Sequence, residues 1–200
     1  MNEYLLFKFL IKNTSLDNKD ILDIIAMADI ISVKKGGEWM PKFYNPLDMG
    51  FITEGLIGLF VKEHPSQLLA FCRENEWAST LLFSLSPSVA DGKSDYSKLP
   101  FIYRAIENTT IYSYTKATLD KIIISYPPFQ GLMIQYYQQT LLSSLHHQTL
   151  LYTLDAEQRY KNWTDKHPEL AQRLPQYLIA SYLGILPTSL SRLRNQMHKK

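Results

Sequence analysis

QYLIASYLGILPTSLSRL, residues 176–193, is the most informative segment of the sequence. Its pattern predicts two short helices joined by a tight turn, which is a helix-turn-helix. Ala180 falls where the two helices cross and only a small side chain fits, and Gly184 falls in the turn, where a positive φ is needed. The positions that pack the two helices together are all aliphatic: Ile179, Leu183, Ile185, Leu190 and Leu193. Several independent constraints therefore agree on one motif.

The second helix of this motif leaves one polar face. Thr188, Ser189 and Ser191 are small hydrogen-bonding residues, and Arg192 can pair with guanine through two hydrogen bonds. Such residues read base edges in a DNA major groove. Three basic residues are placed to neutralise phosphates: Arg194, Lys199 and Lys200. We expect sequence-specific binding of double-stranded DNA; a helical hairpin used for packing alone is the alternative.

The charge distribution agrees with a polyanionic partner at this end of the chain. After Glu169 five basic residues and no acidic residue follow, although the net charge of all 200 residues is only +2. A composition of 46% hydrophobic and 20% charged residues is ordinary for a globular protein and excludes a disordered or collagen-like chain. The single cysteine, Cys72, cannot form an internal disulfide, an iron–sulfur cluster or a Cys-rich metal site, and it fits a reducing cytoplasm.

Residues 122–154 contain no Asp, Glu, Lys or Arg, but glutamines, serines and histidines interrupt them, which argues against a membrane span. The pattern predicts a long helix after Pro127 and Pro128, followed by a further helix from the cap residue Asp155 to about Lys166. One stripe of the long helix is Ile134, Tyr137, Leu141, Leu145, Gln148 and Tyr152. Because so long an uncharged helix needs cover on two sides, we expect it to pair with a second copy; a core helix of a monomer is the alternative.

The sequence pattern of the first half of the chain changes once, near residue 31. Residues 4–31 have helical spacing, with Asp17 as the cap of a second helix. Residues 31–114 then alternate short β-branched and aromatic runs with turn residues, which predicts an antiparallel barrel or roll. Residues 63–66 are predicted to form a turn within it, and residues 86–98 a polar loop.

The chain as a whole resembles the Crp/Fnr family of transcription regulators, named after the cyclic-AMP receptor protein and the fumarate–nitrate regulator. The resemblance is carried by residues 35–38 (KGGE), 51–57 (FITEGLI), 105–109 (AIENT), 126–129 (YPPF), 156–160 (AEQRY), 173–176 (RLPQ), 179–185 (IASYLGI) and 189–194 (SLSRLR). It implies an α+β fold with three parts: a β-roll effector-type domain, like a cyclic-nucleotide-binding jelly roll with flanking helices, over 1–128; a dimerisation helix over 129–154; and a helix-turn-helix DNA-binding domain over 155–200.

The resemblance also implies functional roles. The protein would be a homodimer that reads a palindromic DNA site, with RNA polymerase as a further partner. In the family, the position of Arg192 contacts a guanine and that of Gln176 contacts a phosphate. Two departures lie here: Leu186 replaces the Ser or Thr that caps the second helix, and the sequence leaves room for little or no β-hairpin wing after it.

Other departures concern the effector. Cyclic-nucleotide binders of the family use a Gly-Glu pair and an Arg-Ser or Arg-Thr pair, and here Asn75-Glu76 and Leu99-Pro100 stand near those places. Cyclic AMP and cyclic GMP are therefore not expected to bind, while another small effector and its residues stay unassigned. His146 and His147 point to different faces of one helix, so a haem site is not expected either.

Two other classes of function are a binding module and an enzyme. A ligand- or protein-binding β-roll with a degenerate DNA-binding end is favoured by Leu186 and the missing wing. An enzyme is not expected, because the sequence has no Gly-x-Ser-x-Gly elbow, no phosphate-binding loop and no histidine pair at metal-ligand spacing.

Overall fold

Two four-stranded antiparallel sheets form the first half of the protein, in the strand orders β1-β8-β3-β6 and β2-β7-β4-β5. The computed structural model describes residues 3–39, 48–79 and 101–197. Its strands are β1 (Asp29–Val33), β2 (Glu38–Trp39), β3 (Met49–Glu54), β4 (Leu56–Val61), β5 (His64–Arg73), β6 (Trp77–Ser79), β7 (Phe101–Ala105) and β8 (Thr109–Tyr114). Its helices are α1 (Glu3–Asn13), α2 (Asn18–Ala26), α3 (Lys116–Ser125), α4 (Pro127–Thr153), α5 (Ala156–Lys166), α6 (Pro168–Arg173), α7 (Gln176–Tyr182) and α8 (Pro187–Met197).

The facing sides of the two sheets enclose an apolar core, so the predicted antiparallel roll is confirmed. This core consists of Val33, Trp39, Ile52, Ile57, Leu59, Ala78, Tyr103, Ala105 and Ile111. The tight β3–β4 turn depends on Gly55, which has a φ of +89°. A Cβ atom there would lie 2.1 Å from the carbonyl oxygen of Asn108, so a side chain would push apart two turns at one end of the roll.

Helices α1, α2, α3 and the start of α4 cover the outer side of the β1-β8-β3-β6 sheet. The Asp17 carboxylate accepts a hydrogen bond from the Asp20 amide at 2.8 Å, as expected of the cap of α2. The prediction of helix up to residue 31 is wrong at its end, because β1 already begins at Asp29. Its β-branched residues pair with β8, as Ile31 does with Ile111, and this sheet pairing overrides the helical spacing.

The predicted turn over residues 63–66 is shorter than expected. Val61 pairs with His64, so Lys62 and Glu63 alone connect β4 to β5. A two-residue connection closes an antiparallel hairpin with the least loss of pairing, and the strand takes in the remaining residues. The predicted loop over residues 86–98 lies outside the described residues.

Helix α4 has 27 residues, and Pro127 and Pro128 form its first turn where we predicted that they precede it. Proline is tolerated there because the first amides of a helix have no intrahelical partner. Only Phe129, Leu132 and Met133 are buried. Most of the helix therefore runs beyond the sheets. Within the described residues, no helix has both the length and the apolar character that a membrane span requires.

Candidate nucleic-acid interface

Helices α7 and α8 form the predicted helix-turn-helix. Gly184 in the turn has a φ of +62°, as expected, and Ala180 is fully buried between the helices. The Ile185 amide donates to the Ala180 carbonyl at 2.8 Å, which closes the turn. Four of the five predicted packing residues are buried, and Leu193 is half-buried near the end of α8.

The exposed side of α8 is formed by Thr188, Ser191 and Arg192, and we call it the reading face. Their spacing of three and four residues places the three side chains together on one side of a helix. No hydrogen bond or ion pair joins Arg192 to any residue that the structure describes, so its guanidinium is available to a ligand. The polar groups and the free cation are the chemistry that pairs with base edges.

The remaining predicted DNA-binding residues lie at different places. Gln176 is exposed at the first position of α7, and Arg194 is half-buried on α8. Ser189 is also half-buried and so contributes less to the reading face than the sequence suggested. Lys199 and Lys200 lie outside the described residues.

Arg159 of α5 holds the turn of the motif in place. Its guanidinium donates to the carbonyl of Leu154 at 2.6 Å, just after α4, and to the carbonyl of Gly184 at 3.2 Å. One cation therefore joins the end of the long helix to the turn before α8. This role of Arg159 is not predictable from the sequence, because an arginine among polar residues gives no sign of which carbonyls it will meet.

An aromatic cluster seats α7 on β5. Phe71 of β5 lies with its ring centroid 5.0 Å from that of Tyr182 and 6.5 Å from that of Trp163. His147 of α4 stacks on the Tyr182 ring, with centroids 4.2 Å apart. Burial lowers the pKa of His147, so this imidazole is held neutral as a packing group.

The predicted dimerisation stripe on α4 divides into two parts. Ile134, Leu141, Leu145 and Tyr152 are between 48% and 89% exposed, and Gln148 between them is exposed too. These five follow the spacing of seven, four, three and four residues that is typical of a helix pairing with another helix. Tyr137 differs, because it is half-buried and its hydroxyl donates to the Met49 sulfur at 3.4 Å. It packs on the roll of its own chain.

The turn after β5 stands where cyclic-nucleotide binders of the family carry their Gly-Glu pair, and its side chains contact one another. Asn75, at the glycine position of the family pair, has a φ of +67°. The Glu76 carboxylate accepts hydrogen bonds from the amide and the Nε of Arg73, each at 3.1 Å, and is thus engaged within its own turn. Leu99 and Pro100 lie outside the described residues.

An antiparallel roll, a long helix and a C-terminal helix-turn-helix in one chain define the fold of the Crp/Fnr regulators. Solved structures agree: the regulator CLP of Xanthomonas campestris has a TM-score of 0.67 at 12% identity over 92% of both chains. FixK2 of Bradyrhizobium japonicum has a TM-score of 0.66 at 17% identity over 86% of this chain and 85% of its own. A protein from Eubacterium rectale described as a regulator of the crp/fnr family has a TM-score of 0.66 at 10% identity, with 96% and 88% covered.

These similarities confirm the fold that the sequence resemblance implied. No family model matches the sequence, and no curated protein matches it. The chain therefore has the Crp/Fnr fold.

Proposed function

We propose that the protein is a homodimeric transcriptional regulator that binds DNA in a sequence-specific manner. In this proposal residues 1–128 are an effector-type roll, 129–154 the dimerisation helix and 155–200 the DNA-binding part. The observation that carries the proposal is the reading face of α8, on which Arg192 is exposed and unpaired among the described residues. An unpaired arginine beside two hydroxyls on a helix-turn-helix favours a DNA ligand over packing.

The direct test is selection of binding sequences from a random double-stranded DNA library. We expect enrichment of a palindrome whose half-sites lie about 34 Å, or one helical turn, apart. Failure to enrich any sequence would overturn DNA recognition and favour a binding roll with a degenerate C-terminal end. Leu186 supports that competing function, because it leaves α8 without the usual polar cap and is 71% exposed.

Dimerisation is supported by the exposed stripe on α4. Substituting both Leu141 and Leu145 with Glu would place like charges opposite each other across a two-fold axis, so the double variant should be monomeric. A matched control is the double variant Gln139→Glu and Ser143→Glu, which adds two charges on exposed positions away from the stripe. Light scattering should show a dimer for the wild type and for the control. A monomeric wild type at micromolar concentration would contradict the proposal.

A further inference from the structure

Arg173, the last residue of α6, reaches out of the helical C-terminal part to the roll. Its guanidinium donates to both carboxylate oxygens of Glu74, at 2.8 and 2.9 Å. It also donates to both carboxylate oxygens of Glu107, at 2.6 and 3.0 Å. Two bidentate pairs on one side chain use its planar donor fork almost fully, which fixes direction as well as distance. We call this group of three residues the Arg173 clamp.

The two carboxylates come from two different turns of the roll. Glu74 lies between β5 and β6, and Glu107 lies between β7 and β8. Glu74 also accepts a hydrogen bond from the Gly55 amide at 2.9 Å, in the β3–β4 turn. The Glu107 amide in turn donates to the Leu56 carbonyl at 3.2 Å. The clamp therefore grips one end of the roll, where three turns are already tied to one another.

The clamp is partly shielded from water. The side chains of its three members are between 27% and 32% exposed. Burial alone would raise the pKa of Glu74, but the hydrogen bonds and charge of Arg173 keep it below its ordinary value. Glu74 and Arg173 therefore both stay ionised at neutral pH. Salt screens their attraction less than it would on an open surface.

The rest of this contact consists of one further ion pair, in which Arg73 of β5 donates to Glu169 of α6 through a single nitrogen, and of apolar packing. Leu68 and Ile106 of the roll share one buried cluster with Leu178 and Ile179 of α7. Beside it, the Leu68 amide donates to the Ser181 hydroxyl at 3.0 Å. Apolar contact is non-directional and supplies affinity, whereas the bidentate ion pairs define an angle.

We propose that Arg173 is a positioning residue for DNA recognition. It sets the orientation of the helix-turn-helix on the roll, so that the two reading faces of a dimer reach both half-sites together. This inference rests on the proposed function. Its mechanism is bivalence: a dimer whose two binding ends match the spacing gains affinity that a mispositioned pair loses.

The test removes the clamp from the roll side, where no residue is proposed to touch DNA. The double variant Glu74→Gln and Glu107→Gln keeps Arg173 and all DNA-binding residues. Its affinity should fall about 10–100-fold for a probe with two half-sites and should be unchanged within about twofold for a probe with one. A control for the loss of an ion pair elsewhere is Lys116→Gln with Asp120→Asn, which removes an ion pair of α3 without changing the net charge and should leave both affinities unchanged.

Each alternative gives a different result. If the two carboxylates only repelled DNA, the double variant would bind both probes more tightly, and the inference would be overturned. Equal losses on both probes would also overturn it, since they indicate a damaged reading face. If the wild type binds neither probe, the proposed function is wrong, and so is the inference that rests on it.

A measurement without DNA separates a failure of this inference from a failure of the proposed function. Hydrogen exchange of the Leu68 amide reports on the contact with Ser181. Exchange should be faster in the double variant than in the wild type, while the melting temperature of the roll is retained. Arg173→Lys keeps the charge but loses the planar donor fork, so its exchange rate should lie between those of the wild type and the double variant. Unchanged Leu68 exchange in the double variant would show that the clamp does not set the orientation.

Discussion

Replacing Arg192 with Ala tests the reading face most directly. Arg192 is exposed, and no described residue pairs with it, so its removal costs the folded protein no internal contact. The free energy of unfolding should therefore change by no more than about 0.5 kcal/mol. A bidentate contact to guanine is worth about 1–3 kcal/mol, so affinity for each half-site should fall about 5–150-fold.

Fluorescence anisotropy with the selected palindrome and with its single-base-pair variants separates specificity from affinity. The wild type should discriminate at one base pair of each half-site, and Arg192→Ala should lose that preference while it still binds random DNA. The control is Lys121→Ala, which removes one exposed positive charge from α3 on the roll and should leave the preference intact. If specific and random DNA lose affinity equally and the salt dependence becomes flatter, Arg192 is a phosphate contact and the assigned reading face is wrong.

The start of α8, the turn after β5 and the His147 side chain each give a further prediction. Leu186→Ser should raise the free energy of unfolding by about 1 kcal/mol, measured by urea denaturation, because the Leu186 carbonyl accepts the first bond of α8 from Leu190 and a serine there would cap the helix; a loss of stability would contradict this. Cyclic AMP and cyclic GMP should give no binding in calorimetry, because Glu76 is engaged by Arg73, and micromolar affinity would refute the expectation. Burial lowers the pKa of His147, so its contribution to stability is present above the ordinary value of 6.5 and is lost as pH falls below it; His147→Gln should reduce the drop in stability between pH 7 and 5.

The helix-turn-helix could be predicted because its constraints are local. A positive φ at Gly184 and a small residue at Ala180 are needed within a few residues of each other, so the pattern is visible in one short stretch. The same holds for the cap at Asp155, whose carboxylate accepts from the Gln158 amide at 2.9 Å. Local hydrogen bonds and helix periodicity depend on residues that are close in the sequence, so both can be predicted from a short stretch of it.

The Arg173 clamp could not be predicted, because its partners lie far away in the sequence. Arg173 is 99 residues from Glu74 and 66 residues from Glu107, and only the strand order brings their two turns together. Tyr137 shows a second limit. Its spacing matches the exposed stripe of α4, yet it packs on the roll, since periodicity gives the face of a helix and not the neighbour that covers it.

The apolar cluster shared by the roll and the C-terminal helices bears on how such a protein can be divided. Leu56, Phe60 and Ile102 of the roll are buried together with Leu170 and Leu190 of the last helices. Cutting the chain before α5 would expose both halves of this cluster to water, at a cost of about 25 cal/mol for each square ångström of apolar surface. The helices α5 to α8 therefore cannot be exchanged on their own with those of another protein of this fold, because the surface of β4 and β7 that they bury would have to be exchanged with them.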